Sequence, residues 1–126
     1  MIDSESYISG LGRPYIILRP GGLVDIIRHP AQKIKEERLK MMKGNINLVD
    51  TRDVSRFIVH CLKSNLWNNI FNLVFPYYPL KSDFYHACKN NLSTEFKSET
   101  SRIIDSNKAI ESGFEFIYDI RTSHIK

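Results

Sequence analysis

The sequence lacks any long hydrophobic run. A helix needs about 20 consecutive apolar residues to cross a bilayer, and the 126 residues contain no such stretch. A secretory signal begins with a positive region and an apolar core, whereas residues 1–12 are polar and carry Asp3 and Glu5. We therefore expect a cytoplasmic protein with no membrane partner.

Cysteine is scarce, because Cys61 and Cys88 are the only two in the chain. Each lies in a half-apolar, helix-like stretch, which favours free buried thiols over a disulfide framework. His60 precedes Cys61, and His86 lies two positions before Cys88, but neither C-x-x-C nor H-x-x-x-H spacing occurs. Since neighbouring helix positions point to different faces, we expect no metal site.

A strong excess of one charge is also absent. The chain has 18 Lys and Arg against 14 Asp and Glu, a net charge of +4. Five basic side chains fall in residues 33–43, where they surround Glu36 and Glu37. One interpretation of this segment is a row of basic side chains that binds phosphate groups. The mixture of basic and acidic residues instead favours a solvated helix face. We expect no nucleic-acid partner.

The composition that remains is that of a folded domain. Hydrophobic residues make up 42% and charged residues 25% of the chain, both usual values for a globular protein. A chain of this length is long enough to bury a core, so we expect residues 1–126 to form a single domain. Residues 1–13 are expected to be a frayed or docked lead-in, and the last residues to be polar and mobile.

Two short apolar runs predict strands. Residues 15–18 are rich in strand formers and are followed by Pro20, which is typical of a strand buried on both faces in a parallel sheet. Residues 70–75 form a second candidate, ended by Pro76. A very short extended piece is predicted at residues 47–49. Residues 95–105 are expected to hold one or two further short strands.

Four helices are predicted between and after these strands. The clearest covers residues 51–64, with Asp50 or Thr51 as its cap. Its apolar stripe comprises Val54, Phe57, Ile58, Cys61 and Leu62. Asp53 is interpreted as structural, because the helix dipole stabilises a carboxylate in the first turn. The others are expected at residues 30–43, at residues 80–90, and at residues 107–112 behind Ser106 and before Gly113.

Strands that alternate with helices predict an α/β fold with at least two parallel strands. Gly21-Gly22 is expected to form a tight turn at the carboxyl end of the first strand, since glycine is the usual residue for such turns. Ligands of open α/β sheets bind beyond the carboxyl ends of strands. This turn is therefore the first place at which we look for a ligand site.

Several stretches in a consistent order carry a resemblance to a known family. They are YIILRPGGLV at 15–24, RHPA at 28–31, NLVDTRDV at 47–54, FNLV at 71–74, then Pro76, Pro79, Lys81, Phe84, Tyr85, Ser106, Lys108 and Gly113-Phe114. Together they resemble the C-terminal part of extended short-chain dehydrogenase and NAD(P)-dependent epimerase-like proteins of the Rossmann superfamily, over about residues 13–118. The resemblance implies a partial Rossmann-type sheet, made of late parallel strands with helices, plus small α+β elements of a substrate lobe.

The same resemblance implies that the N-terminal cofactor-binding half is absent from these residues. That half opens with a glycine-rich strand-turn-helix that holds the cofactor's pyrophosphate. Here Gly10-Leu11-Gly12 has no third glycine in place and leads into a strand. The family's catalytic Tyr-x-x-x-Lys is also missing. Tyr77 and Lys81 have the spacing, but Pro79 between them opposes the helix that the pair requires. We predict no catalytic residue in this chain.

Six residues near the first strand are candidate ligand contacts: Pro20, Gly21, Gly22, Arg19, Arg28 and His29. The resemblance implies that the first three approach the nicotinamide end of NAD or NADP, with a plain turn as the alternative. The last three are candidates for substrate binding. Guanidinium groups suit phosphate or carboxylate, and histidine titrates near neutral pH. For the two arginines, a surface ion pair is the alternative.

These observations favour the interpretation that the chain is the substrate-lobe portion of an NAD(P)-dependent epimerase, dehydratase or reductase-like protein. We expect that it is not catalytic alone. The alternative is a stand-alone protein-interaction or small-ligand-binding module without a cofactor. Buried-type strands without their usual neighbours would leave open edges and apolar faces. The expected partner is therefore a second copy of the chain, or a separately encoded N-terminal half.

Overall fold

A computed structural model of the chain describes residues 2–27, 35–39, 41–90 and 103–123. Within these ranges the helices are α1 (Ile2–Ser9), α2 (Glu36–Leu39), α3 (Thr51–Lys63), α4 (Lys81–Asn90) and α5 (Asn107–Glu111). The strands are β1 (Ile16–Pro20), β2 (Gly22–Val24), β3 (Leu48–Asp50) and β4 (Asn69–Leu73). The predicted α/β fold is confirmed. None of the described helices is long and apolar enough to cross a membrane.

The four strands form two parallel pairs, β1 with β4 and β2 with β3. Only Gly21 separates β1 from β2, so the chain changes its pairing partner within one residue. The Gly21 amide donates to the carbonyl of Leu73 at 3.0 Å, and the Gly22 amide donates to the carbonyl of Asn47 at 2.9 Å. One continuous extended segment therefore joins the two strand pairs.

The prediction of a tight turn at Gly21-Gly22 is wrong. Neither residue has a positive φ, and Gly22 is the first residue of β2. Close packing is what requires glycine here. A Cβ atom on Gly21 would lie 2.4 Å from the carbonyl oxygen of Asn47, and one on Gly22 would lie 2.6 Å from Cδ2 of Leu48. Glycine allows the chain to pass this close to the segment that leads into β3.

Two hydrophobic clusters hold these elements together. One lies between the β1–β4 pair and the helices α3 and α5, and its buried members are Phe57, Cys61, Phe71, Leu73, Ala109 and Phe114. The other lies around α4 and the β2–β3 pair, and its buried members are Val24, Ile46, Leu48, Phe84, Tyr85, Cys88 and Ile120. Both cysteines are free and buried, as predicted.

Helix α3 forms where the sequence predicts it. Asp50 is the N-cap, and its side chain accepts a hydrogen bond from the Arg52 amide at 2.9 Å. Such a cap stabilises a helix by about 1 kcal/mol. Phe57 is buried on the apolar stripe, but Ile58 is 46% exposed and Leu62 is 52% exposed. Only half of the predicted stripe is therefore covered.

The structure bears on three further expectations. The lead-in at residues 1–13 contains a helix, α1, whose Glu5 is bonded to Arg19 of β1, which agrees with a docked lead-in. Strand β1 is not buried on both faces, because its first three residues are half-buried and its last two are exposed. The last residues are not uniformly exposed, because Ile120 and Ser123 are buried. Ile120 packs into the cluster around α4, which explains why this polar-looking tail is held against the molecule.

The remaining helix and strand predictions fall partly outside the described residues. Of the helix predicted at residues 30–43, the structure describes α2, and residues 41–43 are not helical. Residues 28–34, 40 and 91–102 lie outside the described part of the chain. Residues 103–105 contain no strand, which corrects that end of the prediction for residues 95–105.

Candidate functional site

The carboxyl ends of β1 and β4 form one side of a cleft. Because the strands are parallel and in register, Arg19 lies opposite Asn72, and both project from the same face of the pair. The cleft has a volume of about 550 Å³ and is lined by Arg19, Pro20, Asn72, Ile103, Ile104 and Asp105. Open α/β sheets bind their ligands at this end of the strands. The cleft is therefore the candidate site.

The wall opposite the strands is fixed by hydrogen bonds to Val74, Asn47 and Tyr78. The Ser106 hydroxyl accepts from the amide of Val74 at 2.7 Å and donates to the carbonyl of the same residue at 2.9 Å. The Ile104 amide donates to Oδ1 of Asn47 at 2.7 Å, and the Tyr78 hydroxyl donates to the Ile104 carbonyl at 3.1 Å. These bonds hold residues 104–106 beside the carboxyl end of β4.

The rim of the cleft carries one cation and one anion. Nε of Arg19 donates to Oε2 of Glu5 in α1 at 3.0 Å, and Nη2 donates to Oε1. This hydrogen bonding lowers the pKa of Glu5 and raises the pKa of Arg19. The two bonds use two of five guanidinium N–H groups, so Arg19 keeps donors for a phosphate or carboxylate. Asp105 accepts from the Asn107 amide at 2.7 Å.

The predicted contact residues have different surroundings. Arg19 and Pro20 line the cleft. The Gly21 and Gly22 amides are already bonded to Leu73 and Asn47, so they are not free to bind an anion. Contact between the nicotinamide end of a cofactor and these three residues, Pro20, Gly21 and Gly22, stays a prediction. Arg28 and His29 lie outside the described residues, and their contact with substrate also stays a prediction.

Two polar residues of the cleft were not found by sequence reasoning. Asn72 interrupts the apolar run of β4, which is a signal that it faces away from the buried Phe71 and Leu73. Only the strand register, however, places it beside Arg19. No sequence pattern predicted a role for Asp105 in the site, because it follows a segment without clear periodicity. It reaches the site through the hydrogen bonds that anchor Ser106 and Ile104.

Two buried carboxylates at the start of α3 have structural roles. Asp53 accepts from the Tyr118 amide at 3.0 Å and from Nη1 of Arg56 at 2.6 Å. Asp50 accepts from Nη2 of Arg52 at 2.8 Å and from the Ser123 hydroxyl at 2.6 Å. Burial raises the pKa of Asp50, but the hydrogen bonds outweigh it and the pKa is lowered overall. These contacts tie the tail to α3, and the structural interpretation of Asp53 agrees with them.

Histidine and cysteine form no metal cluster in the part of the chain that the structure describes. Nε2 of His60 lies 3.1 Å from the carbonyl oxygen and 3.1 Å from the hydroxyl of Ser112. The imidazole therefore joins α3 to the end of α5. Burial raises the pKa of the Cys61 thiol, and burial raises the pKa of Cys88 to about 12. Neither thiol is suited to nucleophilic chemistry near neutral pH.

Known proteins resemble this chain in sequence or share its architecture. No protein-family model matches the chain. The chain is 30% identical over 125 residues to protein YeeZ of Escherichia coli K12, a match that covers 92% of this chain and 46% of YeeZ. The YeeZ protein of Escherichia coli O157:H7 gives the same values. The chain thus spans about half the length of the curated relatives it matches.

Three solved structures share the fold over 98% of this chain. RMD from Pseudomonas aeruginosa, complexed with NADPH, gives a TM-score of 0.70 at 10% identity, with 51% of its chain covered. UDP-N-acetylglucosamine 4-epimerase from Bacillus cereus gives 0.66 at 16% identity, with 46% covered. UDP-glucose 4-epimerase from Thermotoga maritima, with UDP-glucose, gives 0.60 at 16% identity, with 47% covered.

The chain thus shares the fold of about half of each of these epimerase and RMD chains, as expected for the C-terminal part of an epimerase-like protein. In this fold, the sequence stretch around residues 15–24 forms β1 and β2, as the resemblance implied for its strand. The glycines within it join the strand pairs instead of forming a turn. The cleft beyond β1 and β4 is thus the part of the fold in which ligand contacts are to be sought.

Proposed function

We propose that this chain supplies the substrate-binding side of an NAD(P)-dependent epimerase, dehydratase or reductase-like protein, and that it is not catalytic alone. The observation that carries the proposal is the polar cleft at the carboxyl ends of β1 and β4, with Arg19 and Asn72 on one face. Its position agrees with the general location of ligands in open α/β sheets. The whole chain, residues 1–126, would act as one domain in this role.

The described residues do not fit the pyrophosphate of a dinucleotide cofactor. A pyrophosphate cradle requires free backbone amides at a glycine-rich turn and helix N-terminus. The amides of Gly21 and Gly22 are engaged in strand pairing, and Gly10-Leu11-Gly12 is the only G-x-G sequence in the chain. The proposal therefore limits contact with NAD or NADP to its nicotinamide end, at Pro20, Gly21 and Gly22.

A nucleotide-sugar is the substrate class that this proposal favours. Two of the similar structures are epimerases whose names contain a UDP-sugar, and the Arg19 guanidinium retains donors that suit a phosphate or a carboxylate. The Asn72 amide and the Asp105 carboxylate supply hydrogen-bonding groups of the kind that sugar hydroxyls need. Arg28 and His29 are proposed as further substrate contacts.

The experiment is thermal unfolding of the full chain with millimolar UDP-glucose, UDP-N-acetylglucosamine, NADH or NADPH. A ligand that binds only the native state at ten times its Kd adds about 1.4 kcal/mol to the free energy of unfolding. We expect a rise in Tm with a UDP-sugar, no rise with either dinucleotide, and no epimerisation of UDP-glucose by the chain when NAD⁺ is present.

Three variants locate the binding. Arg19→Ala should remove the shift in Tm, whereas Arg38→Ala, which changes an exposed arginine of α2, should keep it. Glu5→Gln removes the charge that Arg19 now contacts and should leave binding intact or strengthen it. A shift with NADPH as large as that with UDP-glucose would contradict the proposal that the chain has no site for a whole dinucleotide, and epimerisation of UDP-glucose by the chain would contradict the proposal that it is not catalytic alone. No shift with any ligand would favour an interaction module.

A further inference from the structure

The outer edge of β4 is covered by side chains. The Leu73 carbonyl faces the β1 side, and backbone groups of successive residues point to opposite edges of a strand. Those of Ile70 and Val74 therefore point outward. The Lys108 ammonium donates to the Ile70 carbonyl at 3.0 Å, and the Ser106 hydroxyl bonds both backbone groups of Val74. Lysine and bonded backbone groups oppose the addition of a further strand at this edge.

The outer edge of β1 is open in the part of the chain that the structure describes. The Tyr15 carbonyl and the Gly21 amide both bond on the β4 side. By the same alternation, the backbone groups of Ile16 and Leu18 point to the other edge. Within the described residues, β1 pairs with β4 alone. This edge therefore offers amides and carbonyls that can pair with another strand.

Helix α3 leaves apolar side chains on the side of this open edge. His60 reaches Ser112 at the end of α5, and α5 contacts β4. Ile58 and Leu62 lie roughly 200° around α3 from His60, since each residue advances about 100°. They are 46% and 52% exposed. The uncovered half of the α3 stripe thus faces away from α5 and toward the edge of β1.

A groove of about 400 Å³ lies between these side chains and β1. Ile16 and Leu18 line it from the strand, and Trp67, which is 40% exposed, lines it from the loop after α3. None of the described residues that line the groove is charged. Its surface therefore suits apolar side chains, and it adjoins the row of backbone groups that would pair with a strand.

We infer that the open edge of β1 binds a β-strand from outside residues 1–126, whose alternate apolar side chains fill the groove. The backbone of that strand pairs with Ile16 and Leu18, as in other cases of strand addition to a sheet edge. Successive side chains of a strand point to opposite faces, so every second residue faces α3. Those residues contact Ile58 and Leu62.

The source of this strand is the half of an epimerase-like protein that residues 1–126 do not match. The chain covers 46–51% of the three solved structures that share its fold and 46% of YeeZ. About as much polypeptide again therefore lies outside the match in each of them. A purely parallel sheet is normally covered on both faces, and two strands alone make a marginal sheet. The missing half is thus large enough to supply the strand.

The first test is amide hydrogen exchange of the full chain, followed by NMR. The amides of Ile17 and Arg19 point toward β4 and should be protected, whereas those of Ile16 and Leu18 should exchange at least about 100-fold faster. Slow exchange at Ile16 and Leu18 would mean that the chain covers its own edge. Protection that rises with the concentration of the chain would mean that a second copy covers it. Either result would overturn the inference.

The second test adds the part of Escherichia coli YeeZ that the match does not cover, made as a separate polypeptide. Sedimentation should show a complex with the full chain, and exchange at Ile16 and Leu18 should slow at least about ten-fold. Exchange at Ile17 should not change. The absence of a complex near 100 µM, or a complex that leaves these amides unprotected, would show the inference to be wrong.

Two pairs of variants locate the contact. Ile16→Pro removes an outward amide at the first residue of β1, where an edge strand tolerates proline. It should raise the Kd at least about ten-fold more than Ile16→Ala, which keeps the amide. Ile58→Glu should weaken the complex at least ten-fold, whereas Val59→Glu should not, because Val59 is 49% exposed and does not line the groove.

Equal effects within either pair would contradict the inference. Circular dichroism establishes that each variant is folded, and the α3 pair decides the question if Ile16→Pro does not fold. None of the described residues that line the groove also lines the cleft. The shift in Tm with UDP-glucose therefore tests the proposed function separately from strand addition.

Discussion

Gly21 occupies the position at which the chain passes from one strand pair to the other. Its own amide bonds to β4, and the next amide bonds to the segment before β3. The two strand pairs can approach each other only where no side chain intervenes. At the residue scale, the packing of the two strand pairs therefore depends on the absence of a Cβ atom at Gly21. It does not depend on the conformational freedom of the glycine backbone.

The variant Gly21→Ala should lower the free energy of unfolding by about 1–3 kcal/mol, because the new methyl group would meet the Asn47 backbone carbonyl at 2.4 Å. Gly22→Ala is the matched comparison. Its Cβ atom would meet Cδ2 of Leu48, the end of a flexible side chain, so the loss should be smaller. Urea unfolding of both variants measures the difference. A larger loss for Gly22→Ala would contradict the packing argument.

Asp50 should make stability depend on pH in the acidic range. Its pKa is lowered in the folded chain, because the hydrogen bonds from Arg52 and Ser123 outweigh the effect of burial. In the unfolded chain the pKa is about 3.9. The carboxylate therefore contributes stability above about pH 4, and this contribution is lost as the pH falls through the lower folded pKa.

Thermal unfolding between pH 7 and pH 3 tests this expectation. Asp50→Asn should be less stable than the native chain at pH 7 and should lose less stability on acidification. Asp83→Asn removes an exposed carboxylate of α4 and is the control. If Asp50→Asn keeps the full acid dependence of the native chain, other carboxylates are responsible for it.

At the scale of elements, the side chain of Ser106 does not have the role that its position in the sequence predicts. A serine before a short helix predicts an N-cap, and Ser106 does precede α5, but its side chain makes no cap bond. The hydroxyl instead bonds both backbone groups of Val74, just after β4. The residue thus fixes the approach to α5 against the sheet and shapes the wall of the cleft.

The variant Ser106→Ala should lower the free energy of unfolding by about 1–3 kcal/mol, because it leaves a buried backbone amide and carbonyl without their partner. It should also weaken ligand binding in the cleft, since Ile104 and Asp105 would lose their anchor. Ser55→Ala, an exposed serine of α3, should change stability by less than about 0.5 kcal/mol. Equal stability of the two variants would show that the Ser106 bonds contribute little.

At the scale of the whole molecule, the two hydrophobic clusters each contain one cysteine. Cys61 belongs to the cluster beneath β1 and β4, and Cys88 belongs to the cluster around α4. Burial raises the pKa of both thiols, so both should react only after the chain opens. Their reactivities therefore report whether the two clusters unfold together.

If residues 1–126 unfold as one cooperative domain, as proposed, we expect both thiols to react with a disulfide reagent at the same slow rate in the native chain. The reagent DTNB, followed with the single variants Cys61→Ala and Cys88→Ala, measures each rate separately. Rates that differ by more than ten-fold would mean that the clusters open independently and that the chain is not one cooperative domain.

The sequence by itself determined the main elements and their type. The apolar runs around residues 15–18 and 70–75 became β1 and β4, and the periodic stripe with its Asp50 cap became α3. These features are local, because a strand or helix is favoured by neighbouring residues. The resemblance carried by the order of motifs also determined the fold class before any contact was known.

Only the tertiary structure decided how these elements meet. The pairing of Arg19 with Asn72, the packing of Gly21 against Asn47, and the bonds of Ser106 to Val74 join residues far apart in the chain. No local pattern encodes such contacts, because their energy depends on which distant segment arrives. For the same reason, the exposure of Ile58 and Leu62 became visible only when the structure showed which half of the α3 stripe was covered.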